Sequence, residues 1–444
     1  MKKQLVINRI KFTLGAAMLF GLSYILQINF AIPLFLLSLV VYLKISGRGF
    51  KSYSLLYPAF LFVIIFSISF FIIRRGYSIY LIPFCAIPML STLLFNDLRI
   101  SLLITLAASI SIAAIAGNNL SIALLFGISG IISSMLLLGV RRRNAIIGAG
   151  ILIGCCQAVT SFLLTRFQTV YIQPYILLFL NGVVYGIIVV GILPVFEYLF
   201  NTVTNIRLLE LADFDNPILQ RMMMQAPGTY HHSLVVGNLS DAACQVVGAH
   251  ALLARIGAYY HDIGKLSKPE YYSENQDIVG NKHDALAPNI SKMVIMNHVK
   301  EGVELAKKAK LNWRLVDFIQ QHHGTSLVYF FYRRALEKLD DKEVGEEGFR
   351  YPGPKPSSRE SAIVLLADSV EAAARALKEP NQASIEELVH KIINNKFIDG
   401  QLDACDLTLR DLEKISAVFI RILGGIYHSR VTYPEAPQAP GLNG

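Results

Sequence analysis

Hydrophobic and polar positions divide the chain near residue 200. Before it, apolar runs follow one another with brief polar breaks, at about 12–27, 29–43, 53–73, 78–96, 100–117, 119–140, 144–165 and 172–200. Each is close to the length a helix needs to cross the hydrocarbon of a bilayer, the second and fifth being short. Beyond 228, apolar side chains recur every three or four residues near 231–246, 250–261, 286–296, 299–309, 312–323, 327–339, 359–377, 384–394 and 408–427. Few stretches alternate as strands would. The pattern predicts an all-α protein: a polytopic transmembrane bundle of about eight helices over 1–200, then an all-helical soluble domain over 229–433. The linker, 201–228, is amphipathic and expected to be helical. Asn216 reads as a helix cap and Pro217 as a first helical position, so a helix is expected over 218–225, ending at Pro227-Gly228. A charged run into Tyr351-Pro-Gly-Pro-Lys-Pro reads as a loop over 337–358, and the Pro/Gly-rich tail 434–444 as disordered.

Charge sharpens this division. Residues 1–200 carry 14 Lys+Arg and 2 Asp+Glu, whereas 201–444 carry 27 and 30. The excess of positive charge is therefore a feature of the membrane half, and no clustered Lys/Arg face for long nucleic acid stands in the soluble half. With eight spans, eleven basic residues fall on the side of the termini and three (Arg74, Arg75, Arg166) on the other. The positive-inside rule then puts the N-terminus and the C-terminal domain in the cytoplasm, with the protein in the plasma membrane. The first apolar run lacks a small-x-small cleavage site, so it reads as a retained anchor. The spans hold almost nothing ionisable, which argues against a proton-coupled transporter. Gly150-x-x-x-Gly154 and Gly127-x-x-Gly130 read as close helix packing. The five cysteines form no C-x-x-C pair and imply no disulfide framework.

Candidate chemistry is confined to the second half, which holds all ten histidines. His232, His261-Asp262, His298, His322-His323 and Asp368 form a mixed imidazole and carboxylate set suited to iron, manganese, zinc or cobalt. Seven donors exceed what one open ion needs and match two ions sharing a carboxylate, an arrangement that hydrolyses phosphate esters. Gly264 is expected to break the helix after His261-Asp262, and Gly324 to end the helix that would otherwise splay His322 and His323 apart. Asp368 sits in an apolar helix and should have a cation partner. Lys265 either helps neutralise a phosphate or pairs with a neighbouring acid. Thr325, Ser326 and Arg375 are weaker candidates for substrate contacts. His250, His283, His390 and His428 are read as ordinary histidines.

His232-Ser, His261-Asp262-Ile-Gly-Lys265 and the distant Asp368 resemble the HD phosphohydrolase superfamily. The resemblance is closer to the bacterial seven-transmembrane HD phosphodiesterases. It is carried by Pro-Gly-Thr-Tyr-His-His-Ser at 227–233, Gly-Ala-Tyr-Tyr-His-Asp-Ile-Gly-Lys at 257–265 and Gln-His-His-Gly-Thr-Ser-Leu-Val at 321–328. Phe-Arg-Tyr-Pro-Gly-Pro-Lys-Pro at 349–356, Leu-Ala-Asp-Ser-Val-Glu-Ala at 366–372 and Tyr-His-Ser-Arg-Val at 427–431 extend it. The family spacing selects His232 over His231. The resemblance implies an HD domain that hydrolyses cyclic di-AMP to linear pApA, with a metal-bridged hydroxide as nucleophile at a di-iron or di-manganese centre. It implies that His232, His261, Asp262 and Asp368 hold one ion, and that His298, His322 and His323 hold the other with Asp262 bridging. Family members usually carry a large extracytoplasmic domain after the first span; here only a few residues near Gln27 to Asn29 stand in that place.

Two other readings compete. One is an HD hydrolase of another nucleotide; the Gly-Tyr-Pro signature of the cyclic di-GMP class is replaced by Gly324-Thr-Ser-Leu-Val. The other is a non-catalytic membrane sensor or scaffold, which the full set of seven donors disfavours. The sequence leaves the oligomeric state open, a homodimer included.

Overall fold

The computed structural model describes residues 56–165, 171–276, 282–338, 345–377 and 380–427, with position 17 besides. The spans expected at 12–27 and 29–43, His428 and the tail 434–444 lie outside the described residues. The chain divides into two compact units, 1–209 and 210–444. Among the described residues the regular structure is helical, and the single β-bridge pairs Leu327 with Arg350.

In the first unit the helices are α1 (Leu56–Arg74), α2 (Ala86–Phe95), α3 (Leu98–Ile115), α4 (Leu120–Leu137), α5 (Arg143–Leu164) and α6 (Gln173–Phe200). All but α2 are long and apolar enough to cross a membrane. The span expected at 78–96 is instead a short 3-10 turn, Ile79–Leu81, followed by α2. Pro83 lies at the break, where it has no N–H to continue a helix. Two carbonyls there, Tyr80 and Ile82, accept from the Asn181 amide at 3.0 and 2.8 Å, the second also from the Phe84 N–H at 2.8 Å. An apolar surrounding demands such a partner for open main chain.

The Gly150/Gly154 pair packs against Gly182 and Gly186 of α6; a Cβ on Gly182 would stand 2.4 Å from the Gly150 carbonyl oxygen. A Cβ on Gly130 would meet Thr105 Cγ2 at 2.2 Å, whereas Gly127 has room.

The linker and second unit begin with α7 (Asn205–Leu211), which lies inside the stretch read as a helical linker. There follow α8 (Pro217–Gln225), α9 (Pro227–Val247), α10 (Ala251–Tyr260) and α11 (Pro288–Lys308). The last five are α12 (Trp313–Gln321), α13 (Tyr329–Lys338), α14 (Arg359–Arg375), α15 (Gln382–Ile398) and α16 (Leu409–Ile426). Asn216 caps α8, accepting from the Ile218 N–H at 3.1 Å. Pro227 does not merely stop α8; it opens α9, since a helix's first turn needs no N–H from it.

The two helices expected over 286–296 and 299–309 are one. Polar Asn297-His298 suggested a break, but His298, Gly302, Val303 and Ala306 share the buried face of a continuous α11. α14 is the centre of the unit, packed by α9, α10, α12, α15 and α16. Its Ile363 to Ala367 are fully buried, as befits a helix apolar on every side.

Candidate metal centre

Seven donor side chains reach one place from five elements. α10 ends at Tyr260, His261 forms its cap, and a 3-10 turn over Ile263–Ser267 follows. The change of helix type turns His261 and Asp262 into the same space. Gly264 acts differently from expectation. It shows no positive φ; a Cβ there would lie 1.8 Å from the His298 carbonyl oxygen. Its role is to let the His-Asp turn lie against α11.

α12 ends at Gln321, and Gly324 takes a φ of +54°, which an L side chain rarely adopts. The turn between them aims His322 and His323 inward. Gln401 secures that turn by accepting from the Thr325 N–H at 2.8 Å and donating to Thr325 Oγ1 at 2.9 Å. Arg350 donates to the Thr325 carbonyl at 2.9 Å, and Lys396 to Ser326 Oγ at 2.7 Å.

The donors form two groups, His232/His261/Asp262/Asp368 and Asp262/His298/His322/His323, each with its ligand atoms within 4.8 Å of one another. Asp262 belongs to both. Its Oδ2 lies 3.2 Å from His261 Nε2 and 3.8 Å from His232 Nε2. Its Oδ1 lies 3.4 Å from His298 Nε2 and 3.5 Å from His322 Nε2. Asp368 faces His232 Nε2 at 3.0 Å and His323 Nδ1 at 3.5 Å.

Three rings turn Nδ1 onto main-chain carbonyls: His261 to Ala258 at 2.6 Å, His298 to Ile295, and His322 to Ile319 at 3.0 Å. His232 Nδ1 meets the Glu371 carboxylate.

Burial would raise Asp262 and Asp368, yet their neighbours outweigh it: His261 and Lys265 for the first, His232 and His261 for the second. Both carboxyls are held well below the usual range. Burial pushes His298 down to about 4. The carboxylates are thus charged and the His298 ring neutral, whereas Asp262 and Asp368 push His261 up to about 10 despite its burial, so a cation entering there would take the place of a proton.

The residues fit a metal on a second ground. His261 Nε2 and Asp262 Oδ1 are buried without a hydrogen-bond partner among the described residues. Leaving such atoms unpaired costs roughly 1–3 kcal/mol each, and a cation between the two groups would satisfy both. A set of His and Asp donors of this kind is suited to divalent metals.

A cavity of about 510 Å³ opens beside the donors, with Lys265, Tyr272, Glu274, Tyr351 and Arg375 in its wall. Lys265 Nζ sits 2.7 Å from Asp262 Oδ2 and 2.6 Å from Glu274 Oε1, so it pairs with neighbouring acids, and it also lines the cavity. Arg375 also lines the cavity and donates to Glu371 at 3.3 Å.

Thr325 and Ser326, expected near substrate, are engaged by Gln401 and Lys396 and are not among the wall residues. The 337–358 loop is partly paired: Tyr351 N–H donates to Ser326 O at 3.0 Å, and the Tyr351 ring lies 4.3 Å from that of His323.

His231 is exposed, His250 caps α10 through its ring, and His283 is buried against the Tyr271 carbonyl. Sequence reasoning passed over Glu371, Glu274 and Tyr351. Glu371 carried a signal, because it lies one turn from Asp368 on the same helix face. Glu274 had none, being placed by a tertiary contact.

Comparison with known proteins places both halves of the chain. The family described as "7TM receptor with intracellular HD hydrolase" matches residues 19–204, and the HD domain family matches 229–373. The protein named cyclic-di-AMP phosphodiesterase PgpH of Bacillus subtilis is 42% identical over 430 residues, covering 91% of this chain and 59% of its own length. Its namesake in Listeria monocytogenes is 38% identical over 363 residues, covering 80% of this chain and 50% of its own. The chain thus spans between half and three-fifths of the length of these curated relatives. The crystal structure of the L. monocytogenes PgpH HD domain in complex with cyclic-di-AMP is 43% identical, covering 48% of this chain and 100% of that one, with a TM-score of 0.47. The apolar helices and the matches at both ends identify a multi-pass membrane protein with an HD domain, and the chain belongs to the family of seven-transmembrane HD proteins.

Proposed function

We propose that the soluble half is a metal-dependent phosphodiesterase that hydrolyses cyclic di-AMP to linear pApA, on the cytoplasmic side of the membrane. The observation that carries the reading is the pair of four-donor groups sharing Asp262 beside a cavity. The names that the relatives carry support the substrate, and the charge asymmetry of the membrane half supports the orientation.

His232, His261, Asp262 and Asp368 would hold one divalent ion, and His298, His322 and His323 the second, with Asp262 common to both. Two such ions, iron or manganese, supply Lewis acidity that lowers the pKa of water and offsets charge on phosphoryl oxygens. The chain's own residues do the rest. Lys265, pinned between Asp262 and Glu274, presents a fixed positive charge to a phosphate entering the cavity. Arg375 offers a second at the wall. Tyr272 and Tyr351 give that wall apolar, aromatic faces against which a purine can stack.

The test is to purify the full chain in detergent, assay its metals and incubate it separately with cyclic di-AMP and cyclic di-GMP. Formation of pApA, lost in Asp262→Ala, is expected. Cleavage that survives Asp262→Ala would refute the ligand assignment, and preference for cyclic di-GMP would refute the substrate.

A further inference from the structure

We propose that Glu371 is a positioning residue that makes the His232 side of the centre the tighter of two metal subsites. The inference rests on the metal-dependent reading above.

The four fully buried imidazoles are oriented in two ways. His261, His298 and His322 give Nδ1 to main-chain carbonyls, which are neutral acceptors. His232 gives Nδ1 to the carboxylate of Glu371, a side chain only 2% exposed. That contact keeps the Nδ1 proton on the Glu371 side, so that a cation bound between His232, Asp368 and Asp262 would meet Nε2. Arg375 Nη2 reaches the same Glu371 oxygen at 3.3 Å, so the carboxylate is held between a ring and a guanidinium. α14 supplies all three groups' registry: Asp368, Glu371 and Arg375 fall on one face at spacings of three and four.

The two donor groups therefore differ in charge. The His232 group contains Asp262 and Asp368, with Glu371 directly behind its imidazole. The His298 group contains three imidazoles and only the shared Asp262. A carboxylate behind a ligand imidazole fixes its orientation and strengthens it as a donor, and its removal costs about 10–100-fold in metal affinity. Lys265 on the shared Asp262 and Arg375 on Glu371 offset part of this charge, but Asp368 and Glu371 have no counterpart in the His298 group, so the His232 subsite is the stronger trap for a dication and the His298 subsite is left to exchange with solution.

The proposal is tested by stripping the full-length protein in detergent and titrating it with Mn²⁺ alone, following free Mn²⁺ by electron paramagnetic resonance. The wild type is expected to show a tighter and a weaker class of site. Glu371→Gln keeps the side chain's shape and an oxygen toward Nδ1 but removes the charge; it should weaken the tighter class by about tenfold or more and spare the weaker. His323→Ala, on the opposite group, should do the reverse. Unchanged binding in Glu371→Gln, or a loss confined to the weaker class, would overturn the assignment. A wild type that binds no Mn²⁺ would instead bring down the metal-dependent reading itself, so the two failures are distinguishable.

Discussion

Replacing Gly264 by alanine adds one methyl group where two main chains touch. The new Cβ would stand 1.8 Å from the His298 carbonyl oxygen and 2.6 Å from the Gly302 nitrogen. Ordinary contact begins near 3.4 Å, so α11 and the His-Asp turn must part by about 1.5 Å. No rotamer change can relieve this, because both obstructing atoms are main chain. His298 Nε2 now lies 3.4 Å from Asp262 Oδ1; a displacement of that size would carry the pair to about 5 Å, outside the 4.8 Å within which the donors sit.

Overpacking of this kind costs about 1–3 kcal/mol of stability, and a shift of about 1 Å in a reacting geometry costs on the order of 100-fold in rate. Gly302→Ala is the control. Its Cβ would meet the Ile319 side chain at 2.8 Å and the Gly264 nitrogen at only 3.3 Å, a milder clash with the main chain, and the fall in rate should stay below about tenfold. Bound metal by elemental analysis, turnover of cyclic di-AMP and the thermal midpoint together read the outcome. If Gly264→Ala keeps its full metal content and wild-type turnover, the close approach of α11 is not what holds His298 in place.

Further outcomes follow from other sites. Chelation should lower the thermal midpoint and abolish turnover, with Mn²⁺ or Fe²⁺ restoring both; insensitivity to chelator would contradict a metal held by Asp262 and Asp368. Burial pushes the half-buried Asp317 carboxyl up to about 6 despite nearby Arg314, so charging it in the folded state is unfavourable. That penalty is small near pH 4, where the unfolded carboxyl titrates, grows as pH rises from there to about 6 and is complete above it. Full conversion would be about 3 kcal/mol, which solvent screening of this partly exposed group reduces to about 1. Asp317→Asn should therefore match the wild type in denaturant unfolding near pH 4 and exceed it at pH 8; an equal difference at both would refute the burial argument. In the membrane unit, Gly182→Val should lower the thermal midpoint of the detergent-solubilised protein, since the Gly150 carbonyl lies 2.4 Å from the first added carbon. An unaltered midpoint would mean α5 and α6 can separate without loss.

Much of the second unit was legible because its signals are local. The Asn216-Pro217 start, the three-and-four spacing of α9, α10 and α14, and the glycine after His322-His323 each announce themselves within a few residues. What stayed hidden depends on partners far along the chain. Gly264 looks like a helix breaker until the His298 carbonyl is seen against it. Thr325 and Ser326 look like groups poised for a ligand until Gln401 and Lys396 are found holding them. The continuity of α11 was obscured because His298 is polar yet faces inward, and periodicity counts only apolar residues. In the first unit, the break between residues 78 and 96 is marked by Pro83, but its repair by Asn181 of α6 has no local trace.

The hold on Thr325 also shows where the centre ends along the chain. The HD match closes at 373, yet Lys396 and Gln401, which brace the turn bearing two of the seven donors, come afterwards. A shortened protein cut at the edge of the recognised motif would keep every donor and lose the struts beneath His322 and His323. Trimming for crystallisation or for a soluble enzyme should leave α15 and the segment after it in place.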